Sequence, residues 1–382
     1  MGSSIPLFSV QGITIRMHIT FPLILIWGAL QFGVFTGGGW SGAIFGLIVT
    51  FLLFAIVVLH ELGHSLAALR YGVPVKQIVL LPIGGVAELG RMPEKPIQEF
   101  VIAIAGPLVN FALAIILAPL GLALGQGFGG WPPADLFDNL GQLSFNAIFN
   151  YVFVSNLFLG IFNLLPAFPM DGGRVLRALL ATQVSYQRAT SIAVTIGQTL
   201  AWMLGLYGFL NGNFFTILIA VFIFSGAEAE RQLVQTRSVL GDLTVEQAYS
   251  RRVQTLTPQS SLRDAVKLTF DSFQSDFPVC EGEQLVGLLT YTRLLEALDQ
   301  HGPNVPVGEV MLTDISPLSP KGNLFAAQQR LAENNLEALP VVADGRFLGL
   351  LTNRDIGEVY RIASTQPDLI ATLKLDKVKS LS

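Results

Sequence analysis

Two histidines and a glutamate form the pattern His60-Glu61-Leu62-Gly63-His64, near the end of a long apolar stretch. Residues four apart share one face of a helix, so both imidazoles can bind the same cation. Glu61 would then lie beside the metal, where its carboxylate can take a proton from an attacking water molecule. The pattern predicts a catalytic metal site, with zinc as the metal.

A third ligand is expected far downstream, at Asp171 in the segment NLLPAFPMDGG (residues 163–173). Together with the two histidines it would make a three-ligand site whose fourth position is open for water, as in catalytic zinc sites. Two prolines and a Gly-Gly pair interrupt an apolar stretch here, and such a break could aim Asp171 at the histidines. The alternative is that the span ends at Leu165 and Asp171 lies in an ordinary cytoplasmic loop.

The composition indicates an integral membrane domain followed by a soluble, acidic one. The chain is 51% hydrophobic and 13% charged, which is typical of membrane proteins. Residues 1–240 carry 19 charged side chains and residues 241–382 carry 31. The net charge of −4 provides no basic footprint, so we expect no nucleic-acid partner. Cys280 is the only cysteine, which excludes an intrachain disulfide and a cysteine zinc cage.

The apolar stretches predict about six transmembrane helices, and membrane lipid as their surroundings. We place the spans at about 18–36, 41–70, 97–124, 144–170, 189–210 and 213–229. The connecting loops 36–41, 125–143 and 211–213 contain no Lys or Arg, whereas every basic residue of this half falls on the other side. The positive-inside rule then places both termini and the soluble domain in the cytoplasm.

Charged residues inside a bilayer are costly, so Glu61 and Asp171 are predicted to be functional. The alternative is that the two histidines share a helix by chance and that Glu61 is a buried carboxyl with hydrogen-bond partners. In zinc proteases with HExxH, the third ligand is often a later glutamate, and Glu228 and Glu230 stay open for that role. His18, at the start of the first span, is interpreted as an interfacial residue, and His301 as a solvent-facing one.

HELGH at 60–64 together with NLLPAFPMDGGR at 163–174 resembles the site-2 protease family of intramembrane zinc metalloproteases. AGPLVN at 105–110 also resembles a motif of that family. The resemblance implies that His60, His64 and Asp171 bind one Zn²⁺ per chain and that Glu61 is the catalytic base. It further implies that Asn163 and Asn110 contact the substrate backbone.

The same resemblance implies the class of substrate. It would be a transmembrane segment of another protein, such as a single-span regulatory protein, cut within or near the bilayer. A helical segment must unwind before its carbonyls can react, and an edge strand could hold it extended. Residues 75–89 have the β-branched content and Gly-Gly pair of a hairpin. The alternative is a plain connecting loop or re-entrant segment.

The soluble part contains an internal repeat with a constant offset of 62 residues. Gln254–Pro258 aligns with Ser316–Pro320, Phe277–Cys280 with Leu339–Val342, and Gly287–Thr290 with Gly349–Thr352. Each copy is predicted to fold as strand, helix, strand, strand, helix. One copy alone is small for a complete core, so we expect the two to pair.

This repeat resembles a tandem pair of cystathionine-β-synthase (CBS) domains. The resemblance implies binding of an adenosine nucleotide through Thr352 and Asp355, of which the carboxylate would accept hydrogen bonds from a ribose. The first copy has Arg293 where the aspartate is expected, so one of the two sites is in doubt. The alternative is a scaffold or homodimerisation module without nucleotide.

We therefore expect a polytopic α-helical membrane protein with a small β-hairpin and a cytoplasmic α/β tandem CBS module. The expected domains are a protease domain at 1–235, CBS repeat 1 at 236–300, and CBS repeat 2 with a tail at 301–382. The predicted function is intramembrane zinc endopeptidase, and the expected location is a bacterial inner membrane. The alternatives are a CBS-regulated membrane transporter, although no inverted repeat supports it, and an inactive membrane scaffold.

Overall fold

A computed structural model describes residues 4–82, 84–90, 95–123, 143–272 and 274–366. The predicted loop 125–143 lies almost wholly outside these residues, as does the C-terminal tail from 367 onward. The chain divides into two compact units, residues 1–231 and 232–382.

Helices dominate the first unit, and the last of them continues beyond residue 231. They are α1 (Pro22–Leu30, continued by a π-helical turn Gln31–Phe35), α2 (Gly39–Arg70), α3 (Pro96–Ala123), α4 (Phe145–Asn163), α5 (Asp171–Leu180), α6 (Tyr186–Leu210) and α7 (Phe214–Leu240). Apolar side chains cover much of their outer surfaces, as expected for helices that face lipid.

Among the described residues, four helices are long and apolar enough to cross a membrane: α2, α3, α4 and α6. The expected count of six is not confirmed. The first predicted span is a shorter apolar helix, Pro22–Phe35, because a β-strand occupies the residues before it. The last corresponds to α7, which does not meet the same criterion and carries Glu228, Glu230 and Arg231 in its second half.

A four-stranded sheet with the order β1-β2-β3-β4 lies in the same unit. Its strands are β1 (Ser4–Val10), β2 (Ile13–His18), β3 (Val75–Leu81) and β4 (Gly84–Leu89). The predicted hairpin at 75–89 is confirmed, since β3 and β4 pair antiparallel. The Gly84-Gly85 pair, however, begins β4 instead of forming the turn.

The other half of this sheet was not predicted from the sequence. β1 and β2 form a hairpin around Gln11 and Gly12, whose φ angles of 49° and 84° suit a tight turn. β2 then pairs in parallel with β3. The sheet buries Ile13, Ile15 and Ile78 in a core shared with α1 and α2.

The second unit repeats one pattern twice. The first copy contains α8 (Leu262–Asp271), β5 (Phe277–Glu281), β6 (Gln284–Leu289) and α9 (Tyr291–His301). The second contains α10 (Leu324–Glu333), β7 (Ala338–Ala343), β8 (Arg346–Thr352) and α11 (Asn353–Thr365). The first strand predicted for each copy is only a single parallel bridge, Leu256 with Val279 and Leu318 with Val341.

The offset of 62 residues holds in three dimensions. Both hairpins have an irregularity at the same repeat position, between Val279 and Cys280 and between Val341 and Val342. Side-chain caps start the helices of both copies, with Thr290 capping α9 and Thr352 capping α11. Local chemistry therefore sets the ends of corresponding elements alike in the two copies.

Candidate metal centre

His60 and His64 lie one turn apart on α2, and Asp171 is the first residue of α5. The Nε2 atoms of the two imidazoles are 3.1 Å apart. Oδ2 of Asp171 is 3.2 Å from Nε2 of His60 and 3.1 Å from Nε2 of His64. All three residues are buried, and among the described residues they form the one cluster that could hold a metal ion.

The separations suit zinc. Ligand bonds of 2.0–2.1 Å in a tetrahedral site place donor atoms about 3.3 Å from one another, close to the observed triangle. Two nitrogen lone pairs and a carboxylate would repel each other at this distance unless a cation or a proton lay between them. The donor set and its geometry therefore fit a Zn²⁺ ion.

Hydrogen bonds at the opposite ring nitrogens orient both imidazoles. Nδ1 of His64 donates to the backbone carbonyl of Ile102, at 2.7 Å, and Nδ1 of His60 donates to Oδ1 of Asn110, at 2.6 Å. Each bond places the proton on Nδ1 and leaves the Nε2 lone pair free for a metal. Helix α3 thus provides the supporting contacts for both ligands on α2.

Two glycines allow α2 and α3 to approach this closely. A Cβ atom on Gly106 would lie 2.2 Å from Nε2 of His64, and one on Gly63 would lie 2.9 Å from the carbonyl oxygen of Ala105. Neither position can take a larger residue unless a helix or the imidazole moves. This contact gives a physical reason for the glycine in AGPLVN.

Asn110 is fully buried, and its amide joins a second asparagine. Its Nδ2 donates to Oδ1 of Asn156 at 2.8 Å, while Nδ2 of Asn156 donates back to the Asn110 carbonyl at 2.7 Å. The expected contact of Asn110 with substrate stays a prediction. Sequence analysis missed Asn156, although a buried amide within an apolar span is a recognisable signal.

Three residues of the segment before Asp171 are buried by protein, whereas Leu165, Pro166 and Pro169 are exposed. Ala167, Phe168 and Met170 are at most 4% exposed, and they pack against α6 and α7. A Cβ on Gly172 would lie 2.2 Å from the carbonyl oxygen of Leu165. The Gly-Gly pair thus lets the loop fold tightly over the start of α5. Helix α4 ends at Asn163, close to the Leu165 end of the alternative and short of the predicted span 144–170, but Asp171 begins α5 beside the histidines instead of lying in an ordinary loop.

Glu61 follows His60 on α2 and is half-buried. Strand β4 passes directly beside it, since a Cβ on Gly85 would lie 3.0 Å from Cγ of Glu61. Sequence analysis missed this contact because the two residues come from different elements. It places the edge of the sheet next to the carboxylate.

The remaining candidates lie elsewhere. Asn163 ends α4, where its Nδ2 donates to the carbonyl of Leu159. Glu230 binds Arg177, and Glu228 accepts a hydrogen bond from Gln198. Neither glutamate belongs to the three-donor cluster.

The remaining histidines are also outside the cluster. His18 bonds Thr20 at the end of β2, and His301 is the exposed last residue of α9.

In the second unit, Thr352 and Asp355 form the capping box that starts α11. Asp355 Oδ2 accepts hydrogen bonds from the backbone and hydroxyl of Thr352, and Oδ1 accepts one from Ser250. Both carboxylate oxygens already have partners here. A ribose would therefore have to share or replace these bonds.

The long apolar helices and the buried three-donor cluster are typical of a membrane metalloprotein. A model of peptidase family M50 matches residues 48–143 and 133–204, and a model of the CBS domain matches residues 245–300 and 307–361. A zinc metalloprotease of Methanocaldococcus jannaschii is 33% identical over 370 residues, or 97% of this chain and 99% of that protein. The chain belongs to peptidase family M50.

Two further proteins are similar to parts of the chain. Stage IV sporulation protein FB of Bacillus subtilis is 32% identical over 154 residues, 40% of this chain and 47% of that protein. The solved structure of a site-2 protease from Methanocaldococcus jannaschii is 41% identical, with a TM-score of 0.43, over 60% of this chain and 95% of that one. The resemblances to site-2 proteases and to CBS domains are confirmed.

Proposed function

We propose that the protein is an intramembrane zinc endopeptidase that cuts peptide bonds within or near transmembrane segments of membrane-anchored proteins. His60, His64 and Asp171 would hold the zinc, and Glu61 would be the catalytic base. The observation that carries the proposal is the buried triangle of donor atoms, with edges of 3.1–3.2 Å, two of them on the helix that also carries Glu61.

Bound zinc would polarise the scissile carbonyl and lower the pKa of the attacking water. Glu61 would accept the proton of that water and later deliver it to the leaving amine. Asn110 and the Ile102 carbonyl would keep both imidazoles in the tautomer that presents Nε2. Proton transfer thus falls to a residue that does not bind the metal.

We infer that the substrate is held as a strand along β4. β4 is an edge strand, and Gly85 places its path beside Glu61. A substrate strand added to this edge would form main-chain hydrogen bonds with β4. The carbonyls of the substrate would then lie near the metal site. Asn163 would contact the same extended backbone, as the family resemblance implies.

Proline scanning at the edge tests this clamp. Successive backbone N–H groups alternate between the neighbouring strand and the open edge, so only one of Val86→Pro and Ala87→Pro removes an outward donor. That variant should lose turnover and keep its zinc. Leu7→Pro, on the opposite edge strand β1, should keep both its turnover and its zinc. Equal turnover in all three would contradict the clamp. Ile78 and Val79 are poorer test positions, because β3 is paired on both sides.

The proposed domains are a protease domain at 1–235, CBS repeat 1 at 236–300 and CBS repeat 2 with a tail at 301–382. We propose about six spans, with both termini and the CBS module in the cytoplasm of a bacterial inner membrane. The asymmetric distribution of Lys and Arg supports this orientation. Cysteine accessibility on either side of the membrane, in a chain whose only native cysteine is the buried Cys280, would test it.

For the CBS module we propose an adenosine nucleotide bound through Thr352 and Asp355, homodimerisation, and gating of substrate access by nucleotide or dimer state. Support comes from the family resemblance and from the position of both residues together at the start of α11. Asp355→Ala should weaken AMP or ATP binding by the full-length protein, while Asp264→Ala, in the capping box of α8, should not. Equal binding by both variants would contradict the assignment.

The first experiment is zinc content per chain in the full-length protein in detergent. Wild type should hold about one zinc, and His60→Ala and Asp171→Ala should lose most of it. His18→Ala and His301→Ala are matched controls, since they are the other two histidines of the chain. Glu61→Gln should keep zinc and lose cleavage of a single-span substrate. A wild type without zinc after metal is supplied would overturn the proposal and favour a transporter or a scaffold.

A further inference from the structure

Among the described residues, Arg177 has the largest fully buried side chain, at 2% exposure. It lies on α5, six residues after Asp171. A buried guanidinium is costly unless its charge and its donors are satisfied. The groups around Arg177 must therefore balance its charge and accept its hydrogen bonds.

Two carboxylates on two other helices bind this guanidinium. Nε and Nη2 donate to Oε1 of Glu99 at the start of α3, and Nη1 donates to Oε1 of Glu230 on α7. Glu99 is itself fully buried. The planar fork of arginine can bind two partners in fixed directions, which the single ammonium of lysine cannot reproduce.

Two aromatic rings complete the environment. The Cζ atom of Arg177 lies 4.9 Å from the ring centroid of Phe168 and 4.9 Å from that of Tyr186. Tyr186 also donates from its hydroxyl to Oε1 of Glu99, at 3.4 Å. Cations at this distance from a ring face are attracted by its quadrupole.

These contacts hold the chain on both sides of Asp171. Phe168 is three residues before Asp171, and Arg177 is six residues after it. The loop that leads into the aspartate and the helix that follows it therefore meet at one guanidinium. The distances of 3.1–3.2 Å from Asp171 to the two histidines depend on where α5 begins.

We propose that Arg177 is a positioning residue for Asp171, and that its clamp with Glu99, Glu230 and Phe168 sets the metal affinity and geometry of the site. The inference rests on the proposed function, because it assigns Arg177 to the metal centre. Arg177 does not touch the metal site itself. Its effect is transmitted through the short helix α5 and the loop before it.

The test is cobalt binding by full-length Arg177→Lys in detergent, read from the visible d–d spectrum and from a titration. We expect the affinity to fall about 10-fold to 100-fold, as for other residues that support a ligand, and the spectrum to shift from that of wild type. At full zinc occupancy, kcat should fall while KM changes little. Glu230→Gln removes one charge of the clamp and should show a smaller change in the same direction.

Arg188→Lys, an exposed position at the start of α6, is the matched control and should behave as wild type. If Arg177→Lys fails to fold, the cobalt affinity and visible spectrum of Glu230→Gln test the proposal. A variant that folds with the wild-type cobalt affinity and spectrum overturns the positioning role and leaves the zinc site intact. A wild type that binds no cobalt or zinc instead overturns the proposed function.

Discussion

Gly106 of α3 lies directly against the imidazole of His64, so that a Cβ atom at position 106 would be 2.2 Å from Nε2. That nitrogen is one of the three donors of the metal cluster. The helix that supports the histidines thus leaves no room for even a methyl group beside the donor atom.

Gly106→Ala is expected to lose most of its zinc, because the new methyl group forces the imidazole away from the position it shares with His60 and Asp171. Zinc per chain, measured beside thermal unfolding, checks this. Gly205→Ala is the control, since its Cβ would lie 3.4 Å from Ala220, an ordinary contact. Full zinc in Gly106→Ala would show that His64 does not need this packing.

Gly85→Ala is expected to lower kcat about tenfold or more and to leave the zinc in place, because its methyl group would press on Val57 and Glu61 and not on a metal ligand. Glu61→Gln should give a larger loss of kcat with zinc equally retained. Steady-state kinetics on a single-span substrate, with zinc measured on the same samples, check both. Loss of zinc in Gly85→Ala would mean that β4 supports the ligands instead of the base.

Asn110→Ala is expected to lower zinc affinity about 10-fold to 100-fold, because His60 loses the acceptor that holds its Nδ1 proton. Asn156→Ala should have a smaller effect in the same direction, since Asn156 acts through Asn110. A competition titration with a chelator measures both. If the zinc-binding free energy lost in the double variant equals the sum of the two single losses, Asn110 and Asn156 do not act as one unit. Asn211→Ala, exposed at the end of α6, serves as control.

Asp276 provides a pH-dependent prediction in the CBS module. The side chain is 5% exposed, and burial raises its pKa above the ordinary value even though the Tyr291 N–H and the Ser275 hydroxyl donate to it. Ionisation of a carboxyl with a raised pKa costs folding free energy. Its favourable contribution is therefore complete below the ordinary pKa of 3.8 and is lost as pH rises through the raised value.

Asp276→Asn should therefore be more stable than wild type at neutral pH, and the difference should shrink as pH falls. Cys280, the lone cysteine, is buried in the same unit, so its reaction with a thiol reagent reports unfolding there. Urea midpoints of both proteins at the same pH, from 7.5 downward, make the comparison. A wild type that is more stable at neutral pH would show that the ionised form is the favoured one.

Much of the plan of the protein follows from the sequence because its signals are local. HELGH predicts two donors on one helical face, and the 62-residue offset predicts two equivalent units whose caps and strand irregularities recur in register. The hairpin at 75–89 follows from its β-branched residues. The β1–β2 hairpin was missed, and its short strands precede an apolar helix that dominates the pattern.

Which groups support the metal centre and its base from other elements was decided by tertiary structure. Ile102 offers a backbone carbonyl, which no side-chain pattern can reveal, and Gly85 reaches Glu61 from a strand that is remote in sequence. The clamp joins Arg177 to Glu99, which lies 78 positions earlier in the chain, and to Glu230, which lies 53 positions later. The sequence alone determined the types and the local spacing of the reactive groups. Their distances depend on helix packing, which is a property of the whole membrane unit and not of any segment.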